Sequence, residues 1–344
     1  MATYKGIQGY LVDTVSSDPT VSENVGRLWY NTTTNTWKLG TSASGSWATG
    51  GALNTARQTP GGAGTQTATL AFFGGAPLKS VAAETYDGTS WTNTTSGSGG
   101  RESGGSIGQL QTAAAYVGGY GAPSPPLDSR LTEVWNGSAW TESGDLNTGR
   151  SGFSGGAGTT AAGLVTGGAI TSAGATETFN GTSWTEVADL VTPRQYAPTT
   201  GLTSTAAMCV GGYGIPAASP YSNGPGSRVG ITEIWDGTSW THVTGTLNLG
   251  RISAGLAGTS TLAVIAGGST GDPAPPTVNT ATAETWDGTS WTSVSSMADT
   301  NESSGSSSSS ANAMISFGGW PGGSISASEE WTDPIYSTKT VTTS

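Results

Sequence analysis

Apolar residues fall in short runs closed by glycine, and none approaches the roughly 18 consecutive positions of a membrane span. Residues 150–187 show the unit. Arg150–Gly158 reads as a first short strand. Thr160–Gly168 reads as a second, apolar and built of small residues, ending in a glycine pair. Thr176–Asn180 forms a third and Ser183–Val187 a fourth. Asn180-Gly181 separates the last two, and Asp87-Gly88, Asn136-Gly137, Asp236-Gly237 and Asp287-Gly288 match it. Such dipeptides between strands predict hairpins with type I′ turns, which need positive φ at both central residues.

The unit repeats six times. Its fourth strand carries Trp47, Trp91, Trp140, Trp184, Trp240 or Trp291, followed by Arg57, Arg101, Arg150, Arg194, Arg251 or, in the sixth place, Asn301. Glycine pairs begin at Gly74, Gly118, Gly167, Gly211, Gly267 and Gly318. Then come Glu84, Glu133, Glu177, Glu233, Glu284 and Glu329, each two residues before an aromatic. From Gly74 to Gly318 is 244 residues in five steps, a mean of about 49. A period of this size marks a repeat architecture. Small residues permit close strand approach near an axis. The repeat tryptophans and the aromatics Tyr86, Trp135, Phe179, Trp235, Trp286 and Trp331 are expected to fill the gaps between sheets, burying about 150–250 Å² each.

The order Arg, Gly-Gly, Glu-x-aromatic-Asp/Asn-Gly, Trp resembles the kelch repeat over about residues 45–333. The phrasing is similar to kelch-like virion proteins of tailed bacteriophages of marine cyanobacteria and related hosts. The stretches that carry this likeness are Ala48–Arg57, Gly61–Leu70, Asp145–Arg150 and Gly26–Asn35 with its Leu28-Trp-Tyr-Asn31. Asn301 and the missing Asp/Asn-Gly-x-x-Trp after Trp331 depart from the pattern. The resemblance implies an all-β, six-bladed kelch-type β-propeller with an N-terminal extended arm carrying a hairpin. The expected division is an anchoring arm over 1–40, a propeller over 41–334 closed by the strand around Trp47, and a tail over 335–344.

Charge sharpens the reading. Only 10% of residues are charged, yet five arginines share one repeat position. The pairs Arg57 with Glu84, Arg101 with Glu133, Arg150 with Glu177, Arg194 with Glu233 and Arg251 with Glu284 are expected as structural links, since a guanidinium suits a carboxylate. A ring of arginines binding an anion in a central channel is the competing reading. A net charge of −11 without a basic cluster argues against nucleic acid. One histidine, His242, and one cysteine, Cys209, exclude the common zinc sites. No cofactor, metal or catalytic residue is expected, and Cys209 reads as a buried small hydrophobe.

The connections after the glycine pairs expand in the second, fourth and fifth repeats. Binding residues concentrate on loops held by a rigid scaffold. The candidate ligand or partner face is Tyr120, Asp128, Arg130, Tyr213, Tyr221, Arg228, Asp272 and Trp320, with Tyr120, Tyr213, Tyr221 and Trp320 as an aromatic platform. Leu28, Trp29, Tyr30 and Trp37 are candidate anchoring residues on a hairpin that would be marginal alone. The expected function is a non-enzymatic virion structural protein on the particle surface, at tail fibre or tip or as a head decoration. Its partners would be other virion proteins or sister subunits through the arm, and host-surface glycan or protein through the loops. No membrane insertion is expected. Met1–Lys5 leads into no apolar run, so no signal peptide is expected. The alternatives are a carbohydrate-active propeller enzyme and a cellular kelch interaction module.

Overall fold

The computed structural model describes residues 14–19, 26–42, 45–76, 78–121, 129–168, 173–214, 228–270, 278–307, 309–333 and 336–341. Every regular element among them is a strand, and the chain divides into two units, residues 1–46 with 333–344 and residues 47–332. The larger unit has a β-propeller-like architecture of four-stranded antiparallel sheets, and the reason is local. Each repeat supplies strands of two to six residues, too short to bury a core alone, with small side chains that allow neighbouring sheets to approach.

The first sheet contains Gly61–Thr65, Ala68–Phe72, Ala83–Tyr86 and Trp91–Thr94, paired in chain order. The second uses Gly105–Leu110, Ala113–Val117, Thr132–Trp135 and Trp140–Glu142, and the third Ala157–Thr159, Ala162–Thr166, Thr176–Phe179 and Trp184–Val187. The fourth uses Pro198–Thr203, Ala206–Val210, Thr232–Trp235 and Trp240–His242, with Ser154–Gly155 added in parallel. The fifth uses Gly255–Gly258, Ala263–Ala266, Ala283–Trp286 and Trp291–Val294. The sixth takes Gly305–Ser306, Ala313–Phe317 and Ser328–Thr332, then borrows Ser46–Thr49 as its last strand. Trp47 there meets Trp331 with ring centroids 5.5 Å apart.

First strands touch in cyclic order, and that of the sixth sheet reaches the first. The cores lie between sheets. Met208 and Val210 of the fourth pack with Leu256, Ile265 and Trp286 of the fifth, and Ala71, Tyr86 and Trp91 of the first pack with Ile315 and Phe317 of the sixth. Each fourth-strand indole donates to the preceding sheet or its flank: Trp91 to Gly51 O, Trp140 to Thr95 O, Trp47 to Ser295 O, and Trp184, Trp240 and Trp291 to the hydroxyls of Thr132, Thr176 and Thr232, all at 2.9–3.0 Å. Cys209 is fully buried and free.

Two local expectations are corrected. The hairpins between third and fourth strands are not two-residue type I′ turns. Tyr86 pairs directly with Trp91, leaving a four-residue loop in which only Gly88 has positive φ. The aspartate accepts backbone N–H bonds from two and three residues ahead, as Asp287 does from Thr289 and Ser290 at 2.8 Å. Those bonds, led by the Thr289 hydroxyl, hold Asp287 at about 2. The first glycine pair is also out of register. Gly74 donates to Arg101 O as Gly119 does to Arg150 O, so Gly74 is the second member and Phe73, at φ 57°, occupies the place held by Gly118 at φ 61°.

The smaller unit is more than a lone hairpin. Leu28–Asn31 and Thr36–Ser42 form the hairpin, Thr14–Val15 joins one edge in parallel, and Tyr336–Val341 joins the other antiparallel. The expected separate tail is thus a strand of this unit, whose boundaries fall at 46 and 333 rather than at 40 and 335. Trp29 is buried and its indole donates to Asp18 at 3.1 Å, while Asn31 donates to the same carboxylate oxygen at 2.7 Å. Tyr30 packs edge-on against Trp37.

Two outcomes test this arrangement. A chain spanning 45–332 should unfold cooperatively on heating, whereas one spanning 51–332, without the Trp47 strand, should melt at a clearly lower temperature. The second concerns Tyr86, which donates to Glu330 at 2.5 Å across the junction of the first and sixth sheets. Burial first, and that bond second, push its phenol up to about 12. The folded value lies above the unfolded value of about 10. The contribution is therefore complete below about pH 10 and is lost as pH rises toward 12. Tyr86→Phe should flatten that limb of a stability-against-pH curve measured by denaturant unfolding.

Candidate functional site

Each repeat arginine leaves the fourth strand of one sheet and enters the next, where its glutamate sits on the third strand. Arg57, Arg101, Arg150, Arg194 and Arg251 are all 0% exposed. Arg101 meets Glu133 at 2.7 Å, Arg150 meets Glu177 at 2.8 Å, Arg194 meets Glu233 at 3.0 Å and Arg251 meets Glu284 at 2.6 Å, and Arg57 is paired with Glu84. The same guanidinium binds backbone: Arg101 donates to Gly118 O and Leu131 O, and Arg251 to Gly267 O and Thr282 O. The glutamate in turn accepts loop N–H groups, such as those of Asn54 and Thr55 on Glu84. Burial pushes the pKa of Arg57, Arg150 and Arg251 down, and the paired carboxylate opposes that shift. These arginines do not project into a channel.

Two residues beyond each of the five arginines, and beyond Asn301 in the sixth repeat, the backbone turns left-handed, at Thr59, Ser103, Gly152, Tyr196, Ser253 and Ser303, with φ from 47° to 69°. Only one is glycine, so the strain is held by what surrounds it. Gly152 N donates to Ser103 O, Tyr196 N to Gly152 O, Ser253 N to Tyr196 O, Ser303 N to Ser253 O and Thr59 N to Ser303 O, at 2.5–2.9 Å. Ser103 N donates to the Thr59 hydroxyl at 3.2 Å and completes the cycle. Beside it lies a cavity of about 50 Å³ lined by neutral residues, most of them small, such as Ser106, Gly155, Thr199 and Ser306, with Phe153 and Leu256 the large ones. It offers no charged group to an anion.

The polar and aromatic feature on this side is a groove of about 600 Å³ between the sixth and first sheets. Trp320, 38% exposed, lines it with Leu78, Lys79, Gln58, Glu102 and Ser324. The Lys79 ammonium stands 3.6 Å over the Tyr120 ring, and Gln58 donates to Glu102 at 3.3 Å. Gly75 leaves room for that carboxylate, because a Cβ there would lie 2.2 Å from it. A ligand site of this size with an aromatic wall and balanced charges suits a neutral polar molecule.

The sequence-derived face is brought together in part. Trp320 lines the groove and Tyr120 borders it through Lys79. Tyr213 lies away from the groove in a separate two-stranded ladder, Arg194–Gln195 with Tyr213–Gly214, and bridges to Arg228, whose guanidinium donates to Ser269. Arg130 is exposed and donates to Leu146 O. Asp128, Tyr221 and Asp272 lie outside the described residues, so the described aromatics form no single platform. Of the anchoring candidates, Leu28 and Trp37 are exposed, Tyr30 is half-buried and Trp29 is buried. Sequence reading missed Gln58, Leu78, Lys79 and Glu102. The signal was positional: Gln58 and Glu102 each follow a repeat arginine.

No family model matches the chain, and no curated protein does. Among solved structures, one described as the structure of YjhT is similar, with TM-score 0.61 and 14% identity over 83% of this chain and 96% of that one. The likeness is one of fold.

The buried pairs carry a stability prediction. Removing one partner strands a desolvated charge, at a cost of about 3–5 kcal/mol. Arg150→Ala should therefore lower the unfolding free energy by about that amount in urea titrations, while Arg130→Ala should stay within about 0.5 kcal/mol of the parent.

Proposed function

We propose that the larger unit is a six-bladed kelch-type propeller and that the protein is a non-enzymatic bacteriophage virion component displayed on the particle surface. The smaller unit serves as the attachment device, and the groove beside Trp320 contacts host-surface glycan. The observation that supports this reading most is the separation of tasks. One unit presents Leu28, Trp37 and Val341 to solvent, as a protein interface would, and the other presents an aromatic-walled polar groove. The repeat phrasing shared with phage kelch-like proteins supplies the setting.

Labelled antibody should decorate purified particles of the phage that encodes this chain. Leu28→Ser with Trp37→Ser should abolish incorporation into particles while leaving the propeller folded by circular dichroism. Trp320→Ala should leave incorporation intact and reduce binding to host polysaccharide at least tenfold on a glycan array. Particles that carry the Leu28/Trp37 double variant at normal copy number would sink the attachment role.

A further inference from the structure

The sixth repeat departs from the other five at three positions of one node. Asn301 replaces arginine. Two residues earlier the others carry Thr55, Gly99, Thr148, Thr192 and Leu249, all neutral, and the sixth carries Asp299. Across the second and third strands the glutamates face Ala71, Tyr116, Val165, Cys209 and Ile265, but Glu329 faces Ser316. A cation has been lost, an anion gained, and an apolar neighbour exchanged for a hydroxyl.

The geometry keeps the rest of the node. Glu329 still accepts loop N–H bonds, from Ala298 at 2.7 Å and Asp299 at 3.2 Å. Asn301 reproduces one arginine bond by donating to Gly318 O at 2.6 Å, and its carbonyl accepts the Trp320 N–H at 3.1 Å. What it leaves is a cavity of about 10 Å³ bounded by Glu329, Asp299, Asn301, Ser316 and Met297. Glu329 is 8% exposed. Ser316 is 3% exposed, and its Oγ has no hydrogen-bond partner among the described residues.

Charge decides what fits. Each of the other nodes balances one carboxylate with one guanidinium, whereas this one holds two carboxylates and no cationic side chain. A buried carboxylate without a counter-charge is costly. The cavity admits one sphere of water size. Carboxylate, hydroxyl and amide oxygens are hard ligands, and the Met297 thioether beside them is a soft group that a hard cation does not select. Calcium accepts irregular shells of six to eight oxygens, some from water, whereas magnesium demands a regular octahedron and holds its waters. Exposed Asp299 leaves the site open to solvent on one side.

We propose that the sixth repeat binds a hard divalent cation, calcium by charge and ligand class, in place of the guanidinium, through Glu329, Asp299 and the Ser316 hydroxyl. The test uses the full chain stripped with a chelator, then titrated separately with Ca²⁺, Mg²⁺ and Na⁺ while thermal unfolding and binding heat are followed. Calcium should bind one per chain and raise the melting temperature saturably by several degrees. Ser316→Ala should weaken binding at least tenfold. Asn301→Arg, which restores the node of the other repeats, should raise the melting temperature of the stripped protein and abolish its response to calcium. The proposal is overturned if no ion shifts the stripped protein, if Na⁺ alone does so, or if Ser316→Ala retains full calcium binding.

Discussion

The fold depends on a carboxylate and a guanidinium held out of water together. Five times a glutamate on a third strand receives an arginine from the connection that enters its sheet, along with the N–H groups of the preceding loop. The guanidinium also gathers the carbonyls at the ends of the second and third strands. One node thus ties three pieces of backbone that would otherwise be unsatisfied loop, and a chain with few large aliphatic residues gains fixed points a thin core does not supply. Such pairs are weak sources of net stability, because desolvation offsets attraction. Their value here is geometric: they fix where each connection enters its sheet.

That fixed entry explains the strained backbone beside it. Left-handed φ at Thr59, Ser103, Tyr196, Ser253 and Ser303 is unfavourable for residues with a Cβ. Each is held by the arginine or asparagine two residues earlier and by a hydrogen bond to the neighbouring repeat. The nodes point outward into the sheets and the cycle points inward to the axis, so the channel side is occupied by backbone and small side chains. The charged and aromatic side chains lie instead in the groove between sheets, with Trp320 and Lys79.

Much of the repeat was legible because its parts are local and ordered. Trp, Arg, Gly-Gly and Glu keep their spacing, and the arginine–glutamate pairing followed from their constancy. Phe73 hid the first register, since a phenylalanine at positive φ carries no compositional mark. The turns were misread because Asp-Gly serves both a two-residue and a four-residue loop, and the aspartate side chain decides between them by capping the backbone. The groove was largely invisible, as Gln58 and Lys79 of one repeat meet Glu102 of the next and Trp320 of the sixth only through the packing of the sheets. The tail strand Tyr336–Val341 was likewise placed by a partner some 300 residues away.

The borrowed strand has a consequence for biosynthesis. Ser46–Thr49 emerges early, but its partner Ser328–Thr332 follows about 280 residues later. At about 5–20 residues per second the early strand waits roughly 14–56 s on the ribosome with its edge unpaired. During that interval Trp47 has no Trp331 to meet, and five finished sheets stand as an open arc with a free flank at each end. Until then both edges stay open to pairing with a strand of another copy. The rate of translation thereby becomes a determinant of whether the ring closes on itself or on its neighbour.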